Sequence, residues 1–157
     1  MKLQDKFIIL GKWSCLAQCY LMKALLDEAS EEEKTNTDFL EVAMTSALIM
    51  AFNDKTILDD ECTVLNPVKL MESIAGKKYN ITKKDINSLD DLNGEWAAVR
   101  FDYNGNGHWC LYHGKELIYN SLANSNCFKY GKMATARIIE EIQGPLGTAQ
   151  GLRVMYR

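Results

Sequence analysis

Residues 95–121 read EWAAVRFDYNGNGHWCLYHGKELIYNS, and this stretch decides the fold class. Three short β-prone runs, Glu95–Tyr103, His108–His113 and Glu116–Ser121, are separated by Asn104-Gly105-Asn106-Gly107 and by Gly114-Lys115. Asn and Gly accept the positive φ that tight hairpin turns require, so the pattern predicts consecutive antiparallel strands. Ala134–Ile142 and Leu152–Tyr156 read as further strands, split by a turn at Gly144-Pro145.

The chain before this stretch is written differently. Ser14 is a good helix N-cap, and Cys15 to Leu26 is apolar almost all round, broken by Gln18 and Lys23. A helix apolar on every side belongs inside a protein. Its tail, Glu28 to Lys34, is acidic and solvated. Asp38, with Glu41 three residues on, predicts a second helix running to about Phe52. A third has Asn66 as cap, Pro67 at its first position and Gly76 after its last turn. Helices first and strands second indicate an α+β domain, since regular alternation would signal a parallel sheet. With 157 residues, 47% hydrophobic, two prolines and no linker-like tract, residues 1–157 are read as one domain.

The charge of −3 comes from scattered residues and lacks the clustered basic face that nucleic-acid binding needs. No apolar run approaches the roughly 20 residues of a membrane span, and Phe7–Leu10 is too short for a secretory signal. The expectation is a cytoplasmic protein with no membrane or nucleic-acid partner. Five cysteines cannot all pair within one chain, which suits reduced thiols. Asp59, Asp60 and Glu61 lack calcium-loop spacing and read as a loop.

Cys15 carries the first candidate chemistry. A thiolate at a helix start meets unpaired backbone N–H groups, which stabilise it and can also hold an oxyanion. Cys19 lies one turn deeper in apolar surroundings, where burial disfavours its thiolate. His108 begins a strand after a Gly-rich turn, at an edge where a base can meet a partner. His113, five residues on, points to the opposite face and needs only a solvated role. Asn120 is placed to orient the His108 ring, as the third member of a triad does. Register tests that role. A regular two-residue turn at Gly114-Lys115 pairs His108 with Ser121 and turns Asn120 away, whereas a three-residue turn or a bulge brings Asn120 round. Trp13, Trp96 and Trp109 read as core or cleft walls.

A cysteine opening a buried helix, a distant His-Trp strand and a short strand ending in Asn together resemble the papain-like cysteine peptidases. The likeness is to their compact bacterial branch: the peptidase domains that trim bacteriocin leaders, and relatives of unassigned function in phages and spirochaetes. Lys12-Trp13-Ser14-Cys15 is similar to the family's Lys-Trp-Gly-Cys opening, His108-Trp109-Cys110-Leu111 to its His-Trp-Val-Val strand, and Asn120-Ser121 to its Asp-Ser strand end. Tyr130-Gly131-Lys132 and Arg137 resemble a later Tyr-Gly-Lys and Arg. The resemblance implies a papain-like fold, hydrolysis or transfer at an amide of a peptide or protein substrate, a Cys15–His108–Asn120 triad and no cofactor. The family's oxyanion-site Gln falls at about Ile9 here. Gln4 would serve only if the N-terminal segment folded back, with Ser14, Trp13 and Ser121 as further supporting residues. Two other readings accompany this one. A catalytically inactive member of the fold would use the same cleft as a peptide- or protein-binding module. Cys15, Cys19, His108 and Cys110 could alternatively ligate zinc.

Overall fold

The computed structural model describes residues 1–142, so the expected turn at Gly144-Pro145 and strand at Leu152–Tyr156 lie outside the described residues. Helices α1 (Leu3–Trp13), α2 (Cys15–Glu28), α3 (Glu31–Lys34), α4 (Thr37–Phe52) and α5 (Pro67–Glu72) come first. Then follow β1 (Lys78–Asp85), a 3-10 turn (Leu89–Leu92), β2 (Trp96–Tyr103), β3 (Asn106–His113), β4 (Glu116–Tyr119), α6 (Asn126–Tyr130) and β5 (Lys132–Ile142). The five strands form one antiparallel sheet in the order β1-β5-β2-β3-β4. The α+β expectation holds: N-terminal helices pack on a C-terminal antiparallel sheet.

Helix α2 is the spine. It lies between β3 on one side and α4 and α5 on the other. Tyr20, Leu21 and Leu25 are fully buried along it, joined by Phe52, Leu58, Leu70, Met71 and Leu111. Each fully buried large apolar side chain stabilises the fold by about 1.5–3 kcal/mol, so this contact dominates the packing. Lys23, the one cation in α2, is buried but not isolated. Its Nζ donates to Asp27 at 2.6 Å, approaches Glu141 at 3.3 Å and sits 4.5 Å from the Trp96 ring centroid. Asp27 in turn accepts from the Tyr79 hydroxyl at 2.7 Å, so helix and sheet share one buried polar network.

The sheet has two buried faces. Ala98, Trp109, Leu111 and Ile139 pack against the α2 side. Ala97, Val99, Phe101, Cys110, Tyr112, Ala136 and Ile138 form a second core on the far side, under α6 and the 3-10 turn. Alternation along each strand sends neighbouring residues to opposite faces.

Several local expectations are revised. The first helix is α1, which precedes Ser14; of its residues only Leu10 is buried. Asn36, not Asp38, caps α4, its Oδ1 accepting from the Phe39 N–H at 3.1 Å. Ser30 and Glu33 close a capping box on α3 inside the expected solvated tail. Strand β1 went unexpected because its second half, Lys83-Lys84-Asp85, reads as polar loop, although Tyr79 and Ile81 pack on the core. The Asn66–Pro67 start stands, with Asn66 Oδ1 accepting from the Lys69 N–H at 3.0 Å. So does the hairpin at Asn104-Gly105, whose positive φ values of 48° and 78° suit a type I′ turn.

Candidate active site at the start of α2

Ser14 separates α1 from α2 with φ −95° and ψ 11°, in the bridge region outside helical geometry. It does not cap α2. Its buried hydroxyl donates back to the Leu10 carbonyl and accepts from Gln18 Nε2 at 2.8 Å. Gln18 Oε1 then accepts from the Tyr119 hydroxyl at 2.5 Å. This chain of polar contacts fixes the break between the helices and ties it to the end of β4.

The backbone N–H groups of Cys15 and Leu16, and that of Trp109 on β3, favour the Cys15 thiolate. Burial pushes the Cys15 thiol above its ordinary value; these three N–H groups and the nearby charge of Arg100 act in the opposite direction without overcoming it. Cys15 is half-buried at the wall of a cleft of about 850 Å³, lined in part by Trp13, Tyr20, Val64, Arg100, Trp109 and Arg137. Cys19 is fully buried, and desolvation pushes its thiol well up, as expected for the inert member of the pair.

His108 is buried at the start of β3. Its Nε2 lies 2.7 Å from Asn120 Oδ1. The turn at Gly114-Lys115 is the regular two-residue one, with His113 opposite Glu116. A bulge then shifts the register: Tyr112 faces Leu117, but Leu111 faces Tyr119. The shift brings Asn120 to the His108 face, which a regular hairpin would not. Asn120 Oδ1 also accepts from the Leu122 N–H at 3.1 Å, which fixes the amide. Burial alone would lower the His108 pKa; contacts with the Cys110 side chain and Asn120 outweigh it, and the pKa is raised.

The structure therefore joins His108 to Asn120 and places Cys15 beside the next residue of the same strand. Trp109 faces α2, so alternation turns the His108 ring toward Cys110 and the far core. Among the described residues no hydrogen bond links Cys15 to His108. The expected direct contact is absent because the two side chains lie on opposite faces of the sheet.

The supporting residues divide similarly. Gln4 sits exposed in the first turn of α1, nine residues before Trp13, which in a helix is about 14 Å. The N-terminal segment does not fold back, and Gln4 is not brought to the thiol. Ser14 is engaged with Leu10 and Gln18. Trp13 is exposed on the cleft wall with Lys12 Nζ 4.9 Å from its ring centroid. Ser121 lies just past β4, and Asn120 rather than Ser121 holds the imidazole. His113 stacks on Trp96 at 4.4 Å between centroids, away from the cleft.

The zinc reading finds no support: among the described residues no group of three His, Cys, Asp or Glu side chains converges to hold a metal. Asp59 turns its own loop, accepting from the Glu61 and Thr63 N–H groups at 2.9 and 2.8 Å. Gly131 has a packing role. A Cβ there would lie 2.2 Å from the Cys127 carbonyl oxygen and 2.7 Å from that of Asp102, where α6 meets β2.

Sequence reasoning missed Arg100 as a site residue. The available signal was a lone arginine in the otherwise apolar run Ala97-Ala98-Val99-Arg100-Phe101. Among the described residues no helix is long and apolar enough to cross a membrane. No protein-family model, curated protein or solved structure matches the chain.

Proposed function

We propose that the protein is a papain-like thiol enzyme that hydrolyses or transfers an amide-linked acyl group, with Cys15 as nucleophile, His108 as base and Asn120 as orienting residue. The observation that carries this reading is the 2.7 Å contact between His108 Nε2 and Asn120 Oδ1. With Nε2–H donating to Asn120, Nδ1 is the ring nitrogen that would act as base; the thiol now in contact with the ring is that of Cys110. Three backbone N–H groups near the Cys15 sulfur supply the second element, donors that favour the thiolate although burial outweighs them.

In the reaction, Nδ1 of His108 accepts the thiol proton and the sulfur attacks the substrate carbonyl carbon. The C–S bond forms as the oxygen takes the negative charge. The tetrahedral species collapses, the C–N bond breaks, and His108 returns the proton to the departing amine. Water, deprotonated by His108, then cleaves the thioester and restores the thiol. An amine in place of water gives transfer. Because the His108 ring lies on the sheet face opposite Cys15, the reaction requires the first residues of β3 to rearrange so that the ring reaches the thiol. The substrate class is a peptide or protein amide, and the setting proposed is the cytoplasm, where the thiols stay reduced.

A second reading, a papain-like binding module without chemistry, is favoured by the raised Cys15 pKa and by the sheet face that His108 occupies. One experiment separates the two. Alkylation of Cys15 is followed by mass spectrometry against pH in the wild type and in His108→Ala. For an enzyme, Cys15 of the wild type reacts below the usual thiol range of about 8.5 and slows at least tenfold without His108. Identical profiles in the two proteins refute the enzyme reading and leave the binding module.

A further inference from the structure

Two arginines stand on the cleft wall beside Cys15. In the sheet register, Arg100 of β2 faces Trp109 of β3 and Thr135 of β5, while Ala98 faces Arg137. Arg100, Trp109 and Arg137 therefore share the face that α2 covers, and all three line the cleft. The Arg137 guanidinium carbon sits 5.0 Å from the Trp109 ring centroid, and its Nη1 donates to Thr135 Oγ1 at 3.4 Å. Stacking and this bond fix the plane of the fork. Arg100 Nε donates to Asp102 at 2.7 Å, which leaves its terminal N–H groups for another acceptor. The Arg100 guanidinium lies over Gly107, where an added Cβ would come within 2.3 Å of Nε.

Among the described residues no carboxylate forms an ion pair with Arg137. A half-buried guanidinium loses hydration and gains from a planar anion that can accept two parallel N–H bonds. Glu61 is exposed on the cleft wall. The cleft thus combines a thiol, an aromatic floor and an oriented cation with no counter-ion.

We propose that this cleft binds a carboxylate, held by Arg137 with Arg100 as the second cation, so that its substrates are acyl compounds or peptides carrying a carboxylate close to the reacting carbonyl. The carboxylate is that of an acidic side chain or of a peptide C-terminus; the chemistry recognised is the same. The inference deepens the enzyme reading, on which it rests for the reaction at Cys15; the anion site itself rests on the cleft.

The test compares Cys15 alkylation by iodoacetate and by iodoacetamide in the intact protein. The two reagents differ in the charge that the cleft would recognise. The iodoacetate-to-iodoacetamide rate ratio at Cys15 is expected to exceed that of the urea-unfolded chain by about tenfold at low salt and to fall as salt rises. Arg137→Gln should return the ratio to the unfolded value, and Arg137→Lys should keep part of it. Gly107→Ala, which displaces the Arg100 guanidinium, should reduce it. His108→Ala should slow both reagents alike and leave the ratio unchanged. A wild-type ratio equal to that of the unfolded chain overturns the carboxylate site, even where the rates depend on His108 and the enzyme reading survives. A raised ratio without His108 dependence keeps the site and rejects the enzyme.

Should neither reagent modify Cys15, tryptophan fluorescence decides. Wild type and Arg137→Gln are titrated with acetyl-Ala-Glu-Ala-amide, acetyl-Ala-Gln-Ala-amide and acetyl-Ala-Gln-Ala with a free C-terminus. A wild-type response to either acidic peptide, lost in Arg137→Gln, supports the site and identifies which carboxylate is used. Equal responses to all three peptides refute it.

Discussion

Replacing Asn120 with Ala probes the one bond that joins two of the proposed triad members. In the wild type, His108 Nε2 donates to Asn120 Oδ1 at 2.7 Å, and the His108 pKa is raised despite its burial. A group whose folded pKa lies above its unfolded value stabilises the native state fully below the unfolded pKa. That contribution is lost as the pH rises through the folded pKa. The bond to Asn120 should therefore be worth more at acid pH, where the ring is a cation. A hydrogen bond to a charged group contributes about 1.5–3 kcal/mol, and a neutral one about 0.5–1.5 kcal/mol. The Leu122 N–H also loses its acceptor, but it is exposed, and water replaces that bond at either pH.

Asn120→Ala is thus expected to cost about 1.5–3 kcal/mol near pH 5 and about half of that near pH 9, measured by urea unfolding at both. Histidine resonances give a second check, because the chain has only two. The His108 titration should move to lower pH in the variant, while His113, stacked on Trp96, reports any global change. Equal destabilisation at both pH values, with an unmoved His108 titration, would refute the view that Asn120 holds the imidazole.

The other stability predictions concern the spine. Lys23→Met leaves the largely buried Asp27 without its cation and should cost about 3–5 kcal/mol in urea unfolding; a loss below about 1 kcal/mol would show that the Tyr79 hydroxyl alone satisfies the carboxylate. Leu111→Ala removes a fully buried side chain between β3 and α2 and should cost about 2–5 kcal/mol by the same measurement, with a near-neutral result meaning that β3 does not pack on α2 as described.

The sequence revealed those parts of the molecule that local chemistry dictates. Asn66-Pro67 starts a helix wherever it stands, and Asn104-Gly105 turns a hairpin by backbone preference alone. β1 was hidden because a strand of lysines looks like a loop until its partner β5 is known. α1 was hidden because Phe7–Leu10 read as a short apolar run between charges, although Leu3, Phe7 and Leu10 recur at helical spacing. At the site, the pairing of His108 with Asn120 was legible as a condition on register, and the bulge meets it. The separation of His108 from Cys15 was not legible. It depends on which face of β3 meets α2, and Trp109 and His108 were equally plausible from sequence. Arg137 appeared only as part of a family likeness, and its position over Trp109 needed the strand pairing to be seen.

The bulge in β4 has a consequence for chain length. Tyr119 and Asn120 grip opposite faces of the sheet, one tied to α2 through Gln18 and the other to His108. That division depends on where each residue falls in the strand rather than on the identity of the residues leading up to it. Ile118 is the spare residue that lets an even turn serve an odd offset. Deleting it should straighten the strand and leave both grips in place. Pulling it into the pairing without deletion would send Asn120 to the α2 side and Tyr119 away from Gln18. This hairpin has slack of one residue in one direction, and insertions and deletions will test it more severely than substitutions.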